Sequence, residues 1–242
     1  KYAVMLPYVK HRHDLTYLIG EMIGELTIGH AYITSGEVPE IPRIATGLLG
    51  GTFSRDSKTM AFRIDHVFKG ASWDKSLVSP LDGPGVNAKA GEYITKVNGI
   101  PAEELADIHE ALVGKVGKTV SLEIAESPYG KNARTVYVKP VADESQLAYY
   151  EWVRTNIEKV DKASNGEIGY IHIPDMSTEG LDMFTKLFYT QLDKKALIID
   201  DRMNGGGNVS PMILERLQRE VYRMSMSRWG GKNETVPNQA FY

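Results

Sequence analysis

The sequence predicts an α+β, multi-domain chain: a helical amino-terminal segment, then a β-rich module, then an α/β region. Three observations carry that prediction. Apolar residues recur every three or four positions through 14–26. Between about 46 and 142, short runs rich in β-branched and aromatic residues are punctuated by glycine and proline. From 166 onward come strand, helix, strand, glycine loop and helix, the order of a parallel sheet with right-handed crossovers.

In the first segment, residues 1–45, Leu15, Leu18, Ile19, Met22, Ile23 and Leu26 share one helical face, with Asp14 as the expected N-cap. The breakers in EVPEIPR end that texture. Strands are expected at 47–53, 60–68, 93–97, 119–125 and 135–141, and a helix within PAEELADIHEALVG, where Leu105, Ile108, His109, Leu112 and Val113 fall together. These make the module of 46–142. A connecting helix over 149–161 occupies the stretch 143–165. The region 166–242 then holds a strand at 168–173, a helix at 181–192, a strand at 196–200, the loop DDRMNGGGNVS and a helix at 210–221.

Composition narrows the function. With 242 residues and 42% hydrophobic content, the chain can supply more than one core. Its 28 basic and 31 acidic residues nearly balance, and no block of like charge tracks a phosphate backbone, so no nucleic-acid partner is expected. The absence of cysteine excludes disulfides, thiolate metal sites and a cysteine nucleophile. No apolar run reaches the ~18 residues of a membrane span. The first residues, KYAVMLPYVKHRHD, lack an initiating methionine and a signal-peptide layout, and VPNQAFY ends the chain without a polar tail. Both termini are therefore expected to be internal to a longer protein.

The loop carries Gly205, Gly206 and Gly207 between a strand and a helix, where free amides and the positive end of the helix dipole face outward. Such amides hold a phosphate or stabilise the oxyanion of acyl transfer; three glycines also serve a tight turn that needs positive φ. The loop lacks the Lys-Ser/Thr pair of a P-loop and the spaced glycines of a dinucleotide fingerprint, which disfavours nucleotide binding. Oxyanion loop and simple turn stay open on the residues alone. Ser210, followed by Pro211 and an apolar helical run, reads as an N-cap with proline at N1. His11 and His13 beside Asp14 are expected to bind no metal, because their spacing does not converge. His66, His109 and His172 lie inside strand or helix patterns and are expected to pack or to face solvent.

IGYIHIPDMSTEGLDMF, followed by ALIIDDRMNGGG and a helix, resembles the carboxy-terminal catalytic region of tricorn-type serine peptidases, relatives of the carboxy-terminal-processing proteases. SPLDGPGVNAKAGEYITKVNGIPAEE resembles the PDZ domain before that region, and HRHDLTYLIGEMIGELTIGHAY resembles the helical segment that precedes the PDZ domain. Order and spacing agree over nearly the whole chain. The resemblance implies a helical cap at 1–45, a PDZ domain at 46–142, a connecting helix at 143–165 and, at 166–242, the first part of a ClpP/crotonase-like α/β domain, incomplete at its carboxyl end.

It also implies a function: serine endopeptidase chemistry on peptides or unfolded proteins, through an acyl-enzyme and without a cofactor. His30 matches the general base, and Gly206 and Gly207 match the oxyanion loop. Neutral imidazole is the side chain suited to take a hydroxyl proton near pH 7. Gly29 stands where the family often has a serine that orients this histidine. The nucleophilic serine and a downstream acid are expected beyond residue 242. Gly47, Leu48, Leu49 and Gly50 match the loop by which a PDZ domain captures a peptide carboxylate, and a plain turn before a strand fits them equally. A homo-oligomer and an exported, periplasmic or envelope location accord with the relatives, and the cytoplasm stays open. The rival reading is a non-enzymatic adaptor whose PDZ domain binds peptides.

Overall fold

A computed structural model describes residues 1–34, 36–71, 74–226, 228–229 and 234–237. The residues divide into two compact units, Lys1–Ile44 and Ala45–Tyr242. The last residues of VPNQAFY, from 238, lie outside those described.

In the first unit a 3₁₀ helix, Tyr2–Tyr8, precedes helix α1, Arg12–Gly24. Tyr2, Leu6, Leu15, Leu18, Ile19 and Met22 line one shared cleft, so the apolar face read from the sequence is the face in use. The N-cap, however, is His11 rather than Asp14. The His11 ring nitrogen accepts the Asp14 N–H at 3.4 Å, while Asp14, in the first turn, accepts the Lys10 N–H at 3.0 Å. An imidazole can satisfy an orphan helix amide, and a carboxylate inside the first turn then meets the positive end of the dipole. This histidine is thus committed to the helix.

The second unit opens on the β-rich module. Its strands are β1 (Gly51–Arg55), β2 (Phe62–Val67), β3 (Tyr93–Val97), β4 (Ile100–Pro101), β5 (Val120–Ala125) and β6 (Arg134–Val138). They form one antiparallel sheet in the order β1-β2-β3-β5-β6, with β4 paired to β3. Alternation explains most of the core: Phe62 and Ile64, Val120, Leu122 and Ile124, and Val136 and Val138 are buried, as period-two side chains on one face must be, while a bulge in the β1–β2 pairing, with Phe53 opposite Ile64 and Thr52 opposite His66, shifts the phase and turns Val67 inward. Before β1, Thr46 pairs with Val113 and Leu48 with Val141, which joins the two ends of the module.

The helix expected within PAEELADIHEALVG does not form. Two 3₁₀ turns, Ala102–Glu104 and Glu110–Leu112, stand in its place. The Arg55 guanidinium takes up the carbonyls of Ala102, Leu105 and Ala106, which an α-helix would need for its own amides. The Glu110 carboxylate accepts the Ala106 N–H at 2.8 Å, and Asp107 accepts that of His109. Leu105, Ile108 and Leu112 still enter the core, whereas Val113 and His109 do not.

Helix α2 (Ser145–Ala163) is longer at both ends than expected. It reaches back to the module, where Glu151 pairs with His66 Nε2 at 2.5 Å and accepts the Lys69 N–H at 2.9 Å. Strand β7 (Ile168–His172), helix α3 (Thr178–Tyr189), strand β8 (Ala196–Asp200) and helix α4 (Ser210–Leu217) follow. β7 and β8 are parallel, with Ile168 opposite Ala196 and His172 opposite Asp200. Phe184 and Phe188 of α3 and Ile213 of α4 pack with Ile171 and Ile173 in a second, smaller core. A short ribbon of β9 (Arg223–Ser225) and β10 (Glu234–Val236) comes last.

Candidate active site

The glycine loop begins where β8 ends. Asp200, its last residue, is buried and accepts the Arg202 backbone N–H at 3.0 Å, Nε at 2.9 Å and Nη2 at 2.5 Å, and the Tyr170 hydroxyl at 2.6 Å. The Arg202 guanidinium, against the opposing effect of burial, holds this carboxyl well below the ordinary range. Arg202 also lies over the Trp152 ring at 5.5 Å. The chain leaves β8 through an ionic turn between Asp200 and Arg202.

Beyond that turn the loop is tied to residues 173–176. Asn204 Nδ2 donates to Ile173 O at 2.9 Å and Gly205 N to Pro174 O at 3.0 Å; Met176 N donates to Gly206 O at 2.8 Å. Asn208 N and Val209 N both donate to Met176 O, at 2.7 and 2.9 Å. Gly206 N is spent on Asn204 Oδ1 at 2.8 Å. That leaves Gly207, whose N–H has no protein acceptor among the described residues. Met176 bonds the residues on either side of Gly207 in a parallel bridge, so the N–H and C=O of Gly207 itself point away from Met176.

Only glycine fits there. Gly207 has φ +143°, and a Cβ on it would lie 2.1 Å from Met176 O. Ser210 is not the cap: it is the first residue of the helix, the N-cap is Val209, whose carbonyl accepts the Met212 and Ile213 amides, and no side-chain cap bond forms. Pro211 falls within the first turn, as expected, with Ser210 exposed beside it.

His30 lies after α1 in the first unit, exposed, with φ +61° and its ring edge-on to Tyr32 at 6.2 Å. It has no hydrogen-bond partner among the described residues. A Cβ on Gly29 would meet nothing within 4 Å, so the residue before this histidine has room for a larger side chain. His30 and the glycine loop belong to different units, each described by itself.

The GLLGG stretch is turned inward. Gly47 N donates to Leu112 O at 2.9 Å and Leu48 N to Val141 O at 2.8 Å, and Leu49 is 1% exposed. Gly50, at φ +79°, donates its N–H to Glu144 Oε2 at 2.9 Å. A carboxylate does occupy this loop, and it belongs to the chain itself. Burial pushes that Glu144 carboxyl up.

On sequence alone His172 has no role beyond packing or facing solvent. It is buried at the end of β7, with Nδ1 at 2.8 Å from the Tyr149 hydroxyl and Nε2 at 2.9 Å from Arg202 O. The expectation that it packs is right, but its two hydrogen bonds were not foreseen. The available signal was a histidine inside the otherwise apolar IGYIHIP, since a polar side chain in a buried strand needs partners.

Comparison with known proteins gives these regions a context. Residues 47–143 match the tricorn protease PDZ domain, and residues 167–223 match peptidase family S41. A tricorn protease homolog of Saccharolobus solfataricus is 36% identical over 217 residues, covering 90% of this chain and 20% of the relative. Tricorn protease homolog 1 of Streptomyces coelicolor is 33% identical over 246 residues, covering 99% of this chain and 22% of the relative. Among solved structures, a crystal structure of the tricorn protease superposes with a TM-score of 0.85 at 29% identity, covering 99% of this chain and 23% of that one. The chain thus spans about a fifth of the length of the curated relatives it matches.

Proposed function

The chain is tricorn-like, with a tricorn PDZ domain followed by a peptidase family S41 segment, and from that premise we propose that it serves a serine endopeptidase of tricorn type. Substrates are peptides or unfolded proteins. A serine hydroxyl attacks the scissile carbonyl, His30 takes the hydroxyl proton and passes it to the leaving amine, and water then releases the acyl group. The nucleophile comes from a serine outside these 242 residues.

The observation that carries the reading is the free, outward N–H of Gly207 at the amino end of α4, in a loop whose neighbouring amides are all committed. A fixed donor of this kind stabilises an oxyanion without reorganising as charge develops. Gly207 is the donor in this conformation. Gly206, expected beside it, shapes the turn through its φ of +79° and its bond to Asn204.

The inward GLLGG loop favours a PDZ domain that guides or covers the site over one that captures free carboxyl termini, and so weakens the adaptor reading. The test uses the full-length natural protein and a fluorogenic peptide. His30→Ala abolishes hydrolysis with the fold intact, and a fluorophosphonate labels a serine other than Ser210. Near-normal turnover by the His30 variant overturns the assignment.

A further inference from the structure

We infer that His172 is a positioning residue for the glycine loop, holding the Arg202 peptide so that the Gly207 N–H stays aimed; this rests on the oxyanion reading above. Arg202 O is an acceptor only, so the His172 Nε2 facing it at 2.9 Å carries the hydrogen. In that tautomer Nδ1 is the acceptor for the Tyr149 hydroxyl at 2.8 Å. That hydroxyl keeps its proton, because burial pushes Tyr149 up to about 12. One tautomer of the ring is fixed from both sides.

The geometry ties this ring to the loop. His172 stands opposite Asp200 in the parallel register. Asp200 holds the Arg202 N–H and His172 holds the Arg202 C=O, so both ends of one residue at the start of the loop are anchored to the ends of two strands. Trp152 closes the arrangement, edge-on to the His172 ring at 4.8 Å and beneath the Arg202 guanidinium. Two residues on, Asn204 makes the bonds to Ile173 O and Gly206 N that set the glycine turn.

A buried aromatic ring at 172 could pack against Trp152 and Tyr149 without any nitrogen. Imidazole there carries a desolvation cost that only its two hydrogen bonds offset. What the nitrogens add is direction. A donor to a developing charge must be held within roughly 0.5 Å of its productive place, and displacements of about 1 Å cost on the order of 100-fold in rate.

The experiment compares His172→Phe, which keeps an aromatic ring and loses both bonds, with His172→Gln, which keeps an N–H donor. In the full-length protein, His172→Phe lowers kcat by about tenfold or more with KM within about twofold, and His172→Gln restores most of the rate. In the 242-residue chain, amide exchange at Gly205, Asn208 and Val209 accelerates in His172→Phe while that of β5 is unchanged. Unchanged kcat in His172→Phe, with His30→Ala inactive, overturns the inference and leaves the proposed function standing. A rate loss that Gln does not rescue, with all strands exchanging faster, marks a merely structural role and overturns it too. Hydrolysis that survives both His30→Ala and Gly207→Val removes the premise, and the inference falls with it.

Discussion

The β-rich module and the α/β region devote their backbones to different ends. In the module, hairpin neighbours satisfy one another across an antiparallel sheet, and even in the GLLGG loop the amides of Gly47, Leu48 and Gly50 are spent internally. Among the described residues its core gathers eighteen buried hydrophobic residues, against five in the α/β core, so the larger share of apolar burial sits away from the glycine loop. In the α/β region the two-stranded parallel sheet leaves Ile198 and Ile199 of β8 44% and 39% exposed. In the loop at its tip the amides of Gly205, Gly206, Asn208 and Val209 are committed and that of Gly207 is not. The difference teaches that the free Gly207 donor stands out against immediate neighbours whose amides are all paired.

That contrast can be tested by substitution. The largest expected effect is that of Phe188→Ala, which empties the centre of the smaller core and costs about 3–5 kcal/mol in urea unfolding. Amides of β7 should lose protection while those of β5 keep theirs; simultaneous loss would mean that the two regions fold as one and would break the comparison. Next comes Gly207→Val in the full-length protein. Its Cβ collides with Met176 O, and kcat should fall by about 100-fold or more, read by steady-state kinetics, with exchange in the module unchanged.

Glu144→Ala sharpens the contrast from the other side. It frees the Gly50 N–H, and a labelled peptide pool ending in free carboxylates should then bind the 242-residue chain about tenfold more tightly, as read by fluorescence anisotropy. The same pool with amidated ends should show no gain, and equal gains for both would discard the idea that a carboxylate site is blocked. Smallest is Ser210→Ala. With no cap bond to lose, it should shift stability by less than about 0.5 kcal/mol, and a measured loss near a full helix cap would contradict the placement of the N-cap at Val209.

Strands β3 and β8 were legible in the sequence to the residue, because alternation or a continuous apolar run bounded by polar turns leaves little latitude. The α1 face, the parallel order of the last region and the glycine loop were legible too. What escaped was set by partners far along the chain. Arg55, about fifty residues away, removed the helix expected around Leu105. Met176 holds the Asn208 and Val209 amides just before a helix whose cap falls at Val209 instead of Ser210, and Glu144 filled the loop at Gly50 from 94 positions away. Periodicity reports which face is apolar; it is silent about which carbonyl a distant side chain will claim. His172 escaped for the same reason, since its partners Tyr149 and Arg202 precede and follow it by more than twenty residues.

The parallel pairing of β7 with β8 has a consequence in time. Parallel strands cannot be joined by a tight turn; the chain must run through α3 before β8 can lie beside β7. Closing that longer circuit costs entropy before any rung of the ladder forms, whereas β1 and β2, or β5 and β6, meet across short connections. A chain emerging from the ribosome amino end first therefore completes its module while the loop at 205–207 is still without its anchors. The outward N–H of Gly207 is among the last features of these residues to be assembled, and it takes its place only once His172 and Asp200 stand side by side.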